Sequence, residues 1–316
     1  FVLNGVESSY CTTFLDPCTT SPCNPRSLCS RRLITRECSP CFKGYQGNPY
    51  TGNCSDVQEC LTDNGGCDKK VACVNTDGGR TCGKCPVQYP LGNPEEWCYY
   101  RAVVFSHTGD QGAAWVSRSL TLDKWLGPGR NELHVETETT IACQEFASIN
   151  DNSCVMKSDV AFDNLNLTTG TKSYYEPWNY TNGKEYYGEP LETYTADPTM
   201  WQPVSYAGGP AGGTGTENWI IWRTGTNTPG TGPEVGNTEK NSNDHYLYME
   251  SDKPYQPNMK FGIKFKETLG RQFTGLTTFA FDMHKLGPDQ GTMSVVVRTD
   301  SGAPDCNNKN GGCAVQ

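Results

Sequence analysis

Twelve of the 17 cysteines lie between Cys18 and Cys98, and they follow a spacing that occurs twice. From Cys18 the pattern is C-x4-C-x5-C-x8-C-x2-C-x12-C, through Cys23, Cys29, Cys38, Cys41 and Cys54. From Cys60 it is C-x6-C-x5-C-x8-C-x2-C-x12-C, through Cys67, Cys73, Cys82, Cys85 and Cys98. A duplicated unit of 42 residues is too short to bury a sufficient apolar core. Cross-links that shrink the unfolded ensemble must then hold it, at about 2 to 4 kcal/mol per bridge. The rival is zinc on the two CxxC knuckles, Cys38-Ser-Pro-Cys41 and Cys82-Gly-Lys-Cys85. That site would strand the other eight cysteines, and its ligand pairs lie further apart in sequence than zinc ribbons allow. Disulfides are therefore expected, in an oxidising compartment. Spacing alone leaves about 15 connectivities for each six-cysteine unit.

Composition narrows the remaining classes. Only 35% of the 316 residues are hydrophobic, while 34 are Gly and 20 are Pro, too polar and too turn-rich for one large α/β core. The formal charge of -9, with no basic block, gives nothing to neutralise a phosphate backbone, so no nucleic-acid partner is expected. The best apolar runs, Ala102 to Phe105, Trp219 to Trp222 and Val295 to Val297, fall far short of the roughly 18 residues that span a bilayer. The chain opens at Phe1 without a charged and apolar leader, which fits a mature secreted protein or an internal window of a longer one.

Both cysteine units resemble epidermal-growth-factor-like (EGF-like) domains, through Gly44-Tyr45-Gln46-Gly47-Asn48 in the first and Asn64-Gly65-Gly66-Cys67 in the second. The resemblance implies pairing of first with third, second with fourth and fifth with sixth. That gives Cys18 with Cys29, Cys23 with Cys38, Cys41 with Cys54, Cys60 with Cys73, Cys67 with Cys82, and Cys85 with Cys98. Two residues between the fourth and fifth cysteines resemble the variant in thrombospondin-like proteins. Asp56-Val57-Gln58-Glu59-Cys60 and Cys73-Val74-Asn75-Thr76 resemble the calcium-binding subtype. The resemblance then implies a Ca2+ site from Asp56, Glu59 and the Asn75 amide, with the carbonyls of Val57, Thr76 and Gly79. Oxygen ligands of this kind suit a hard cation. The chain departs at Gln58, which is no ligand in the family, and at Arg80, which replaces an aromatic and brings a cation near the site. The first unit carries Phe14 and Pro17 at the places of Asp56 and Glu59, so no ion is expected there. Calcium in the five-residue linker between Cys54 and Cys60 would stiffen the pair, with Tyr45 packing across the joint.

Beyond residue 98 the period changes to two. Phe261, Ile263 and Phe265 alternate with Lys260, Gly262 and Lys264, starting from Met259. Thr277 to His284 is expected to bury Phe279, Phe281 and Met283 and to turn Thr278, Ala280, Asp282 and His284 outward; Thr292 to Arg298 repeats the habit. Further strands are expected at 101–106, 113–122, 132–138, 159–167, 217–223 and 245–250, with a Gly-rich loop from Pro203 to Thr216. The fold class is thus mainly β: two disulfide-rich EGF-like modules and then an antiparallel jelly-roll β-sandwich.

Two stretches resemble the halves of a MAM domain, a sandwich of extracellular adhesion proteins. Trp222-Arg223, Thr231-Gly232-Pro233, Tyr246 to Ser251, Phe279 to Met283 and Gly291 to Val295 resemble its first half. Gly109-Asp110-Gln111-Gly112, Trp115, Leu120-Thr121-Leu122 and Val160 to Leu165 resemble its second. The halves run in reverse order, and the aspartate that follows the Thr-Gly-Pro signature is not evident around Gly236-Asn237-Thr238. Such a sandwich closes within the chain or with a neighbouring copy. The expected divisions are 1–17, the end of a preceding module; 18–54 and 55–98, the EGF-like pair; 99–170 and 171–302, the sandwich halves; and 303–316, the start of a third EGF-like module around Cys306 and Cys313. Cys143 and Cys154 are expected to pair locally, which leaves Cys11 over and points to a repeating molecule.

Three sequons, at Asn53, Asn166 and Asn179, add an expectation of N-linked glycan. Catalysis is not expected. His107, His134, His245 and His284 fit no HExxH, and neither GxSxG, a P-loop nor GxGxxG occurs. Glu234, Glu239 and Asp244 read as loop-solvating acids, and Tyr174, Tyr175, Trp178, Tyr180, Tyr186 and Tyr187 as a wrapped structural segment rather than a sugar platform. The reading is a structural glycoprotein of an extracellular fibre, matrix or appendage that self-associates, against an adhesion or receptor ectodomain with a protein or glycan ligand.

Overall fold

The computed structural model describes residues 16–20, 22–32, 35–127, 129–139, 159–170, 172–176, 178, 200–204, 219–226, 230–249, 260–266 and 276–300. The chain divides into two compact units, Phe1–Cys98 and Tyr99–Gln316. Cys11, Cys143, Cys154, Cys306, Cys313, Phe14 and Asn179 lie outside the described residues.

In the first unit six disulfides join Cys18–Cys29, Cys23–Cys38, Cys41–Cys54, Cys60–Cys73, Cys67–Cys82 and Cys85–Cys98. This is the order that the EGF-like resemblance implies, and it removes the zinc alternative. Each module is built on hairpins, β1 (Cys29–Arg32) with β2 (Thr35–Cys38), β3 (Tyr45–Asn48) with β4 (Asn53–Asp56), and β5 (Cys73–Thr76) with β6 (Gly79–Cys82). The register sets Cys29 opposite Cys38 and Cys73 opposite Cys82. A short β7 (Leu91–Asn93) follows. The buried apolar side chains here are chiefly sulfur: Cys23, Cys38, Cys54, Cys67 and Cys98, with Val71 and Trp97.

The second unit is an antiparallel β-sandwich. Its strands are β8 (Trp97–Thr108), which begins at the end of the first unit, β9 (Gly112–Thr121), β10 (Asn131–Glu138), β11 (Val160–Thr169), β12 (Lys172–Glu176), β13 (Trp201–Val204), β14 (Trp219–Arg223), β15 (His245–Met249), β16 (Lys260–Phe265), β17 (Thr277–Lys285) and β18 (Thr292–Thr299). One sheet runs β13-β16-β10-β18-β8; the other runs β14-β15-β11-β17-β9, with β12 paired to β11. The chain crosses repeatedly between sheets, so each sheet mixes early and late strands. β10 lies between β16 and β18, and β11 between β15 and β17. The stretches 99–170 and 171–302 therefore close on each other within one chain. All nine expected strands form; β12 and β13 were not foreseen, and β13 takes in Pro203 and Val204 from the expected loop.

The inner faces meet as the alternation predicts. Phe162, Leu165, Leu167, Phe261, Ile263, Phe265, Phe279, Phe281, Met283, Val295 and Val297 form one core with Trp201 and Trp219. Phe279 stacks on Phe281 at 5.1 Å, and Trp201 lies 5.5 Å from Phe279. Each such side chain contributes about 1.5 to 3 kcal/mol by burial.

The outer faces depart from expectation. Asp282 and His284, expected outward, are buried. On the sheet containing β17 a second cluster of Ala161, Tyr246 and Tyr248, with Trp115, Ile220 and Trp222, fills the far face. The segment after Thr224 lies over it. Tyr246 Oη donates to Thr224 O at 2.5 Å, and Trp115 Nε1 donates to Val235 O at 3.0 Å. Asp244, expected to solvate a loop, is also buried, and its Oδ2 accepts the N–H groups of Glu239 and Lys240 at 2.7 and 2.8 Å. Alternation identifies the residues of a second face but not the loop that will cover it.

Candidate metal centre

Of the expected ligands, Asp56, Asn75 and the Glu59 backbone are linked by hydrogen bonds where the two cysteine-rich modules join. Asp56 closes the β3–β4 hairpin of the first module, opposite Tyr45. Its carboxylate reaches into the second: Asn75 Nδ2 donates to Oδ2 at 2.6 Å, and the Gly78 N–H donates to Oδ1 at 2.6 Å. Asn75 in turn accepts the Glu59 N–H on Oδ1 at 3.0 Å. Asp56, Glu59 and Asn75 thus form one connected set. Val57 is fixed beside it by donating its N–H to Gly44 O at 2.9 Å, and Thr76 faces Gly79 across the Asp77–Gly78 turn.

The fit to a hard cation rests on Glu59. Its Oε2 is buried and has no hydrogen-bond partner, and neither Asp56 nor Glu59 has an ion-pair partner among the described residues. Leaving a carboxylate oxygen dry and unpaired is costly, whereas a bound cation satisfies it. Among the described residues no three His, Cys, Asp or Glu side chains gather at one point; the donors that the resemblance implies are two carboxylates, an amide and carbonyls. That chemistry suits calcium rather than zinc.

Arg80 does not intrude. Its guanidinium is directed to Cys82 Sγ at 3.0 Å and Cys67 Sγ at 3.7 Å, and to Glu95 Oε1 at 3.6 Å. Gln58 is exposed and donates to Asp56 Oδ2 at 3.3 Å. Pro17 of the first module opens a single helical turn, Pro17–Thr20.

The joint itself is packed as the sequence reading anticipates for Tyr45. Gly44 has φ +89°, and a Cβ there would stand 2.1 Å from Gly78 O. Gly78 has φ +81°, and a Cβ there would meet Tyr45 Oη at 2.7 Å. Two glycines let the modules approach backbone to backbone. A clamp that sequence reasoning missed completes the contact. The Arg26 guanidinium lies 4.2 Å over the Tyr45 ring, pairs with Asp77 Oδ1 at 2.7 Å and donates to Cys54 O at 3.3 Å. The Asp77-Gly78 dipeptide signals a turn, but nothing in it announces a partner 51 residues away.

The other singled-out residues disperse. Asn53 lies exposed on β4, while Asn166 on β11 is partly buried, its Oδ1 accepting from Ser173 Oγ at 2.8 Å and Thr168 Oγ1 at 3.3 Å. Tyr174 packs on Phe265 at 5.2 Å and Trp178 is fully buried, as befits structural aromatics; Tyr175 is exposed, and Tyr180, Tyr186 and Tyr187 lie outside the described residues. Glu234 and Glu239 are exposed. His134 is buried beside Glu132, its Nε2 3.1 Å from Oε2, and His284 Nε2 lies 3.1 Å from Ala113 O. His107 sits on β8 and His245 opens β15.

Comparison with known proteins places similarity in short stretches. The chain is 39% identical to rat (Rattus norvegicus) cubilin over 68 residues, 21% of this chain and 2% of cubilin. It is 40% identical to wall-associated receptor kinase 2 of Arabidopsis thaliana over 50 residues, 16% of this chain and 7% of the kinase. It is 31% identical to human (Homo sapiens) thrombospondin-3 over 104 residues, 29% of this chain and 11% of that protein. The chain thus spans at most about a tenth of the length of these relatives. No family model and no solved structure matches it.

Proposed function

We propose that this chain is part of a structural extracellular glycoprotein in which a calcium-stiffened EGF-like pair carries a β-sandwich. One observation carries the reading: Asp56, in the linker after Cys54, pairs with Tyr45 of the first module and is tied by its carboxylate to Asn75 and Gly78 of the second, while Glu59 Oε2 of the same linker is buried without a hydrogen-bond partner. A cation held by Asp56, Glu59 and Asn75, with the carbonyls of Val57, Thr76 and Gly79, would join two modules and fix their linker. Asn75 would present Oδ1 to the ion, giving up the Glu59 N–H it now accepts. The group supplies rigidity and no chemistry of bond-making. Six disulfides and relatives that include a wall-associated receptor support an extracellular setting. The sandwich would be a MAM-like module with its halves in reverse order, and glycan would be carried at Asn53 of the first module and at Asn166 of the sandwich.

Chelation tests the metal. With calcium present, proteolysis between Cys54 and Cys60 should be slow; removing the ion should speed it about tenfold or more, as a held linker is released. Glu59→Ala should cut equally fast with or without calcium. If chelation leaves the cutting rate of the unaltered chain unchanged, calcium has no part in the joint.

The finer structural reading is self-association into a filament or matrix, tested by electron microscopy of native material, where solitary particles would count against it. The alternative is an adhesion or receptor ectodomain taking a protein or glycan ligand, favoured by the similarity to wall-associated receptor kinases 2 and 3. We propose no catalytic role. Asp244 is committed to backbone N–H groups, and the carboxylates Glu132 and Glu136 are held by Arg130 and by Arg101 with Arg298.

A further inference from the structure

Arg80, the residue that breaks the calcium-binding pattern, stands two positions before Cys82 on β6 and lays its guanidinium against a disulfide. Nη1 lies 3.0 Å from Cys82 Sγ and 3.7 Å from Cys67 Sγ. Glu95, its carboxylate partner at 3.6 Å, has a side chain 61% exposed and is therefore a weak counter-charge. Cys82 is partly exposed, while Cys67 is buried. The duplicated module supplies a contrast. Arg36 stands two positions before Cys38, but its Nη2 donates to Tyr50 O at 3.0 Å, and both Cys23 and Cys38 are buried.

Thiol–disulfide exchange proceeds by thiolate attack on one sulfur with the other leaving as thiolate, and both species are anions. A fixed cation beside the two sulfurs attracts the attacking thiolate and stabilises the one that leaves, as it lowers the pKa of a neighbouring thiol. We propose that Cys67–Cys82 is a thiol-exchange site, taking a low-molecular-weight or protein thiol as its co-reactant. The incoming thiolate bonds to Cys82 Sγ, the electron pair of the S–S bond passes to Cys67 Sγ, and Arg80 faces the thiolate so formed. A second thiolate attacks the incoming sulfur and releases Cys82. The balance is one disulfide reduced to two thiols and two external thiols oxidised to one disulfide. Cys60–Cys73 and Cys85–Cys98 remain to hold the module, so the exchange opens the Cys67 loop and does not unfold the chain. The mixed disulfide at Cys82 would also tether a thiol-bearing partner covalently. This inference does not depend on calcium.

The test is differential alkylation of the whole chain during timed exposure to reduced glutathione, with labelled peptides counted by mass spectrometry. Cys67 and Cys82 should be labelled at least about tenfold faster than Cys23 and Cys38. Arg80→Gln should slow their labelling about tenfold, and Arg80→Lys, which keeps the charge, should stay within about threefold of the unaltered chain. The alternative is that Arg80 merely braces the hairpin; Arg80→Gln would then label as fast or faster. That result, or equal labelling of the two disulfides in the unaltered chain, overturns the proposal.

Discussion

Gly44→Ala is expected to separate the two EGF-like modules while leaving all six disulfides formed. The substitution meets two costs together. Gly44 has φ +89°, where an L side chain is strained by about 1 to 3 kcal/mol, and the new Cβ would lie 2.1 Å from Gly78 O. A carbonyl oxygen of a hairpin turn cannot swing aside like the end of a flexible side chain. The modules must move apart, and with them go the 2.9 Å bond from the Val57 N–H to Gly44 O, the 2.6 Å bond from the Gly78 N–H to Asp56 Oδ1, and the packing of Tyr45 on Gly78. The summed loss should be on the order of 3 kcal/mol or more, over a hundredfold in the closed-to-open ratio. Gly52→Ala is the control. Gly52 also has positive φ, +75°, but a Cβ there meets nothing within 4 Å, so it incurs strain without collision. Limited proteolysis of the Cys54–Cys60 linker reads the difference. Gly44→Ala should be cut at least about a hundredfold faster than the unaltered chain and Gly52→Ala scarcely faster, whereas equal rates would deny the joint its backbone contact.

This joint also shows what a sequence can and cannot disclose. Cysteine spacing carries the repeat because sulfur must meet sulfur, and in both modules the hairpin register places the third and fourth cysteines side by side, Cys29 by Cys38 and Cys73 by Cys82, each bonded to an earlier cysteine. Asp56, Glu59 and Asn75 were singled out together by the resemblance to calcium-binding modules, and in the fold they are linked through the Asn75 amide. Arg26 over Tyr45 was not legible: a cation–π contact and an ion pair with Asp77 need only proximity, and proximity is set by the whole fold. The sandwich divides the same way. A period of two identified Phe279, Phe281 and Met283 as inward, but it also assigned Asp282 and His284 to water. In the folded chain Asn237 Nδ2 donates to Asp282 Oδ2 at 2.8 Å and the Trp115 ring lies 5.5 Å from His284. Asn164, at φ +52° where the β11–β17 register shifts, turns that strand's acids into anchors for the covering segment; a β-bulge of this kind has no reliable signature in residue type.

Those anchors give the sandwich a pH response with opposite limbs. Burial pushes the Asp163 carboxyl up to about 7, despite the N–H groups of Asn237 and Asn164, with Asp244 adding to the rise and Thr238 Oγ1 opposing it. A carboxyl whose folded pKa exceeds its unfolded value of 3.8 keeps its proton in the native state while the unfolded chain loses it. Stability from this group is therefore full below about pH 4, declines as pH rises toward about 7, and is level above. Glu132 works the other way. Burial opposes its charge, but hydrogen bonds from His134 and Arg130 and the nearby Lys264 outweigh that and lower its pKa to about 2, below the ordinary 4.5. Its contribution is full above about 4.5 and is lost as pH falls toward 2. Each limb is on the order of 3 to 4 kcal/mol at most. Urea unfolding of the second unit, followed by its tryptophans, should thus give greatest stability near pH 4 to 5. Glu132→Gln should flatten the acid limb alone, and Asp163→Asn the limb between about 4 and 7 alone. Asp163 donors in the covering segment, the Asn237 N–H at 2.7 Å and the Thr238 N–H at 3.1 Å, make the second limb local as well as global. Hydrogen exchange at those two amides should slow as pH falls from about 7 toward 4 by more than the intrinsic rate predicts, because the closed form holds the Asp163 proton more tightly than a form in which the covering segment has opened. Amides whose protection is unaltered across that range would show that Asp163 titrates elsewhere.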